Sequence, residues 1–130
     1  MTSLQKTFVI IGSLSLATAA LLSAYGFHGL ADVLSPAKQK SWGWAVDMQV
    51  YHSLGLILIA ILSRQFNGPL LFKLAGGLMV LGMVLFSGSI YAECLGAPPA
   101  IGEIAPIGGS SFMLGWVLVA TGVFRSTSTE

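Results

Sequence analysis

The chain has 130 residues, of which 55% are hydrophobic and only 8% charged, with a formal net charge of +1, and its mean hydropathy is +0.84. A soluble domain carries about a quarter charged residues, so six bases and five acids cannot keep a water-exposed globule of this size wet. A soluble enzyme and a disordered chain are excluded, the near-neutral charge removes the attraction that nucleic acid requires, and the single Cys94 allows no intramolecular disulfide.

An integral membrane protein remains: one all-α transmembrane domain, a four-transmembrane-helix antiparallel bundle. A helix rises about 1.5 Å per residue and the hydrocarbon core is about 30 Å thick, so each crossing needs roughly 20 residues. The first stretch, 8–27, is free of charge. Lys6 ahead of it, with Ala17-Thr18-Ala19 inside it, resembles a secretory leader. The uncharged run is longer than a leader core of about 7–15 residues, so a retained span is expected.

Ser35-Pro36 is a helix start, with a hydroxyl to cap free N–H groups and a proline that loses no hydrogen bond at the first position. Lys38, Lys40, Trp42 and Trp44 follow it and suit the headgroup layer. The second span, 46–63, is polar at its start and aliphatic afterwards. Asn67-Gly68-Pro69 predicts a tight hairpin into a third span, 70–91, with Lys73 near its start. The connection from Glu93 to Gly109 holds Pro98, Pro99 and Pro106 and reads as irregular. Pro106 and Gly108-Gly109 are expected to turn the chain back, with Ser110 or Ser111 as a cap for the fourth span, 107–124. The tail, 126–130, is short and polar.

Lys6, Arg64, Lys73 and Arg125 fall on one side of these spans, Lys38 and Lys40 on the other. The positive-inside rule then puts both termini in the cytoplasm of a bacterial inner membrane.

Polar and ionisable groups gather at the opposite, outer ends. The candidate site residues are His28, Asp47, Tyr51, His52 and Tyr91. His52 lies inside a hydrophobic helix, where an ionisable group must face the bundle and find a partner. Three readings are open. A neutral hydrogen-bond network with His28, Tyr51, Tyr91 or a carboxylate could pin the helices. A copper or zinc ion could be held by His28, His52 and Asp47 with Met48 or Cys94, although no tight ligand spacing is present. His and Asp could instead titrate along a proton or ion path, although too few groups are present for a transmembrane relay. A Ser89–His52 dyad is conceivable, but serines among glycines in membrane helices are usually packing residues. Small-x-x-x-small pairs occur at Gly88/Ala92, Ser111/Gly115 and Ala19/Ser23.

Several segments carry a family likeness: Gly26-Phe27-His28-Gly29-Leu30, Gln49-Val50-Tyr51-His52-Ser53-Leu54, Phe86-Ser87-Gly88-Ser89-Ile90-Tyr91, Pro106-Ile107-Gly108-Gly109 and Gly115-Trp116. In this order they span essentially the whole chain, which resembles the YgdD-like family of small bacterial inner-membrane proteins of unknown function. The family pattern has Ala where Phe27 stands, and Thr or a like residue at Ala105. The resemblance implies a four-helix inner-membrane protein and supplies no reaction.

The expected role is that of a non-enzymatic membrane component without a resident cofactor. It would bind membrane lipids, another membrane protein, a second copy of itself or a small molecule, and not nucleic acid. A metal- or proton-linked activity at the outer histidines is the alternative. If the helices splay at that end, Trp42, Trp44, Tyr51 and Tyr91 would line a partly wet cavity able to take a lipid headgroup.

Overall fold

The computed structural model describes residues 1–127; the tail beyond Thr127 lies outside the described residues. Four helices are long and apolar enough to cross a membrane: α1 (Ser3–Gly29), α2 (Pro36–Gln65), α3 (Pro69–Cys94) and α4, whose regular part is Ala105–Arg125 and which a one-turn helix, Pro99–Gly102, precedes. No strand occurs among the described residues.

Local chemistry sets the ends. Thr2 caps α1 in a reciprocal box, its Oγ1 accepting from the Gln5 N–H while Gln5 Oε1 accepts from the Thr2 N–H. Ser35 caps α2 by accepting from the Lys38 N–H, and Pro36 takes the first helical position, as its sequence predicts. The hairpin between α2 and α3 turns on Gly68, whose φ of 118° lies in the left-handed region open to glycine. α2 is 30 residues long, about 45 Å at 1.5 Å per residue, so its first turns project beyond the hydrocarbon core.

The fourth helix begins differently from its expected start. Ala105 opens it, and Pro106, Gly108 and Gly109 lie inside it rather than in a turn. Neither serine caps it: Ser110 Oγ donates to the Pro106 carbonyl and Ser111 Oγ to the Leu78 carbonyl of α3. The irregular connection is therefore shorter than its prolines suggest. Of the two glycines, Gly108 is the one that packing requires, because a Cβ there would strike the backbone of α3, whereas one at Gly109 would find ordinary room.

That packing is a repeat of seven. Gly108, Gly115 and Gly122 of α4 oppose Phe86, Met79 and Phe72 of α3, each set spaced seven apart and running in opposite directions. A Cβ at Gly108 would run into the Phe86 backbone nitrogen, and one at Gly115 would lie 3.0 Å from Met79 Cε. Gly82 of α3 answers in the other sense by receiving the Phe112 ring. A sustained seven-residue repeat faces its neighbour only when two helices wrap left-handedly, and small residues let membrane helices approach.

α2 is the most buried helix and α1 the least. Phe8, Leu56, Ile59, Phe72, Met79 and Phe112 share the main core with residues around them. A smaller cluster of Leu30, Leu34, Trp42, Val46 and Cys94 closes the end away from the termini, the far end. At the other end Gln5 Nε2 donates to Ser63 Oγ, joining the start of α1 to the end of α2.

Two helices contain π-turns, Tyr25–Gly29 in α1 and Met83–Gly88 in α3. A π-turn displaces carbonyls from the regular ladder, and in hydrocarbon these need other donors. In α3 the Ser89 hydroxyl serves the Leu85 and Phe86 carbonyls at 2.6 and 3.0 Å. Ser87 is turned toward α2, where its hydroxyl donates to the Ala45 carbonyl at 2.6 Å.

Substituting Gly108→Ala should force α3 and α4 apart and cost about 1–3 kcal/mol. Gly77→Ala, at a position where a Cβ meets nothing within 4 Å, should be neutral or slightly stabilising. Unfolding of the detergent-solubilised variants by heat or SDS distinguishes the two.

Candidate functional site

The five polar residues singled out in the sequence do not assemble into one site. His28 lies in the last part of the π-turn of α1, exposed, with its ring against Phe27. Tyr51 is 56% exposed and faces outward from α2. Asp47 is also exposed, within electrostatic range of the Tyr91 hydroxyl. His52 is only 6% exposed and turned toward α4. Its ring stacks on Phe112 with centroids 3.5 Å apart and planes within 9°, and Trp116 lies 5.9 Å away. Its Nδ1 sits 2.7 Å from the Met48 carbonyl, so Nδ1 carries the proton and donates it. Among the described residues, no three His, Cys, Asp or Glu side chains come together to hold a metal ion. The Ser89–His52 dyad is absent too, since Ser89 spends its hydroxyl on its own helix.

The connected polar network lies deeper, near the middle of the helices. Tyr91 is its outer member: its hydroxyl donates to Gln49 Oε1 at 2.7 Å. Gln49 Nε2 donates to the Ser15 carbonyl at 2.9 Å and reaches Ser15 Oγ at 3.3 Å. Ser53 Oγ donates to Ser15 Oγ at 2.7 Å, and Met83 Sδ lies 3.3 Å from Ser53 Oγ. Three helices are joined by this chain of contacts. Among the described residues, every buried side-chain nitrogen and oxygen has a partner. Gln49, Ser53, Ser15 and Met83 did not stand out as site residues. Gln49 and Ser53 are four apart on α2 and so share a face, a signal present in the sequence but weaker than a histidine.

Concavity and unpaired charge occur together elsewhere, in a groove of about 550 Å³ at the far end between the π-turn of α1 and the first turns of α2. Phe27, Trp42 and Val46 give it apolar walls, and Gln39, Lys40 and Asp47 give it polar ones. Of the aromatics expected there, Trp42 lines the groove; Trp44, Tyr51 and Tyr91 do not. α1 supplies what the expected set lacked, because its π-turn brings Gly26 against the Trp42 indole. The Trp42 N–H donates to the Leu22 carbonyl at 2.9 Å, and its ring lies 4.7 Å from that of Tyr91. Gln39 Nε2 donates to the Ala31 carbonyl at 2.7 Å and holds the connecting segment beside the opening. Lys40 places its ammonium 5.3 Å from the Trp44 ring centre. Among the described residues neither Lys40 nor Asp47 forms an ion pair.

A small four-helix membrane protein, without a cluster of three metal-ligating side chains among its described residues, is the class this geometry defines. The family model described as "Protein of unknown function (DUF423)" matches residues 22–109. A UPF0382 membrane protein of Staphylococcus haemolyticus, SH2409, is 38% identical over 93% of this chain and 98% of its own length. The UPF0382 membrane protein YwdK of Bacillus subtilis is 33% identical over the same shares. One from Haemophilus influenzae is 32% identical over 96% of this chain and 99% of its own. The chain belongs to this DUF423/UPF0382 membrane protein family of unknown function. No solved structure matches it.

Two outcomes follow from the buried groups. Gln49→Leu removes the hub that joins Tyr91 to Ser15 and should cost about 1–2 kcal/mol in an unfolding titration, given that hydrogen bonds between membrane helices average under about 1 kcal/mol each. His52→Phe preserves the stack on Phe112 and should stay within about 1 kcal/mol of the parent, whereas His52→Ala leaves a cavity and should lose about 2–4 kcal/mol. Equal losses in both His52 variants would show that the imidazole nitrogens, rather than ring packing, matter.

Proposed function

We propose that this chain is an inner-membrane protein of the YgdD-like kind that acts by binding, without catalysis, and that the far-end groove is its binding site. Both termini lie in the cytoplasm, which puts the groove on the outer side. The four cations Lys6, Arg64, Lys73 and Arg125 support this orientation, because α1, α2, α3 and α4 each carry one of them near the end where the termini lie. Lys38 and Lys40 are the cations of the opposite end.

One observation carries the binding reading. Among the described residues the buried polar side chains all find partners inside the bundle, yet Lys40 and Asp47 line a concave surface with no counter-ion among those residues. Ionisable groups on a membrane helix are costly when left alone and mark sites of interaction. His52 is held in place by its Nδ1 bond to the Met48 carbonyl and by the stack of its ring on Phe112.

Reporter domains fused to either terminus should both read out as cytoplasmic. Protein released from mild detergent in a mass spectrometer should retain a non-protein ligand mass. A terminus outside the cell would overturn the orientation, and a chain that flies bare under gentle activation would overturn the binding role.

A further inference from the structure

We propose that the groove holds the headgroup of a phospholipid that is zwitterionic and carries a primary ammonium, with the ammonium on Asp47 and the phosphate on Lys40. This rests on the reading of the groove as the binding site and names what fills it.

Lys40 and Asp47 line the same groove with opposite charge. Seven residues of helix separate them, about 10 Å along the axis. The Lys40 ammonium is drawn over the ring of Trp44, which lies one turn nearer Asp47. Among the described residues the two charges form no ion pair with each other or with a third group. A ligand bearing both charges a few ångströms apart completes both at once. Neither is then left bare at the edge of the hydrocarbon.

Other headgroups fit worse. An anionic headgroup would pair with Lys40 but bring a second negative charge toward Asp47. A quaternary ammonium has no N–H to donate to the carboxylate and needs open aromatic faces instead. Trp42 does not offer a free cage, since its ring is packed on Tyr91 and against the edge of Tyr25. A primary ammonium makes charge-assisted hydrogen bonds to a carboxylate, and such bonds are short and strong.

The walls match the rest of a lipid. Phe27 is 80% exposed and gives an acyl chain an apolar surface, with the largely buried Val46 at the base of the groove. Gly43 leaves room on the α2 side, where a Cβ would meet nothing within 4 Å. Both walls belong to helices long and apolar enough to span a bilayer, a setting in which lipid is the surrounding molecule.

The full chain in detergent, titrated with phosphatidylethanolamine, phosphatidylcholine and phosphatidylglycerol of identical acyl chains, tests this by native mass spectrometry. The ethanolamine lipid should bind about tenfold more tightly than the other two, the contribution of one charge-assisted hydrogen bond. Asp47→Asn should bring it down to the level of the choline lipid. Lys40→Gln should weaken all three, and Gly43→Leu, whose side chain enters open space, should block all three. Equal binding of the three lipids by the parent chain, or an ethanolamine preference that survives Asp47→Asn, overturns the headgroup assignment. If Gly43→Leu still blocks uptake in that case, the groove stands and only its occupant changes. If Gly43→Leu leaves every lipid bound, the groove itself is refuted.

Discussion

Hydrocarbon offers no hydrogen bonds, so a polar group inside a membrane bundle must find its partner in the protein. In this chain side-chain donors answer that demand by reaching main-chain carbonyls on the neighbouring helix. Trp42 and Gln49 of α2 donate to carbonyls of α1, Ser87 of α3 to one of α2, and Ser111 of α4 to one of α3. Each consecutive pair of helices is stitched by at least one such bond. Serine and glutamine, modest in a soluble core, here decide which helix faces which.

The same constraint explains the two π-turns. A regular α-ladder consumes its own carbonyls, whereas a widened turn re-aims side chains and frees groups for other donors. In α3 the turn contains Ser87 and is followed at once by Ser89, the first bonding across to α2 and the second to its own helix. In α1 it coincides with Gly26, whose missing side chain admits the Trp42 indole. The second of these arrangements opens the groove. α3 and α4 close by a different route, a seven-residue interlock of rings and thioether against glycine. α1 buries least of the four; its contacts with α2 include the Gln49–Ser15 bond and the seating of Ile57 and Trp42 against Gly12 and Gly26, and the groove lies between the ends of these two helices.

Much of the architecture is legible in the residues. Charge scarcity forces lipid as the solvent, four apolar runs give four helices, and Ser35-Pro36 and Asn67-Gly68-Pro69 mark boundaries through backbone chemistry that acts locally. Local chemistry misleads at Pro106-Ile107-Gly108-Gly109, which reads as a turn. Whether a glycine bends a chain or lets a neighbouring backbone approach depends on what lies opposite, here Phe86. The candidate site suffers likewise. Depth along each helix puts His28, Asp47, Tyr51, His52 and Tyr91 at one end, and depth follows from counting. Azimuth does not: a helix turns 100° per residue, so His52 and Tyr51 face different directions although adjacent.

The sequence by itself determined an all-helical membrane bundle, the approximate reach of its spans and the end at which its candidate polar residues lie, because hydrophobicity and turn chemistry are properties of single segments. Tertiary structure alone decided that His52 stacks on Phe112, that Gln49 rather than a histidine is the hub of the buried network, and that Lys40 and Asp47 border a groove with Phe27 of another helix. These are relations between helix faces. They arise only when rotation about each axis is settled by the joint requirement to pack closely and leave no buried donor unpaired.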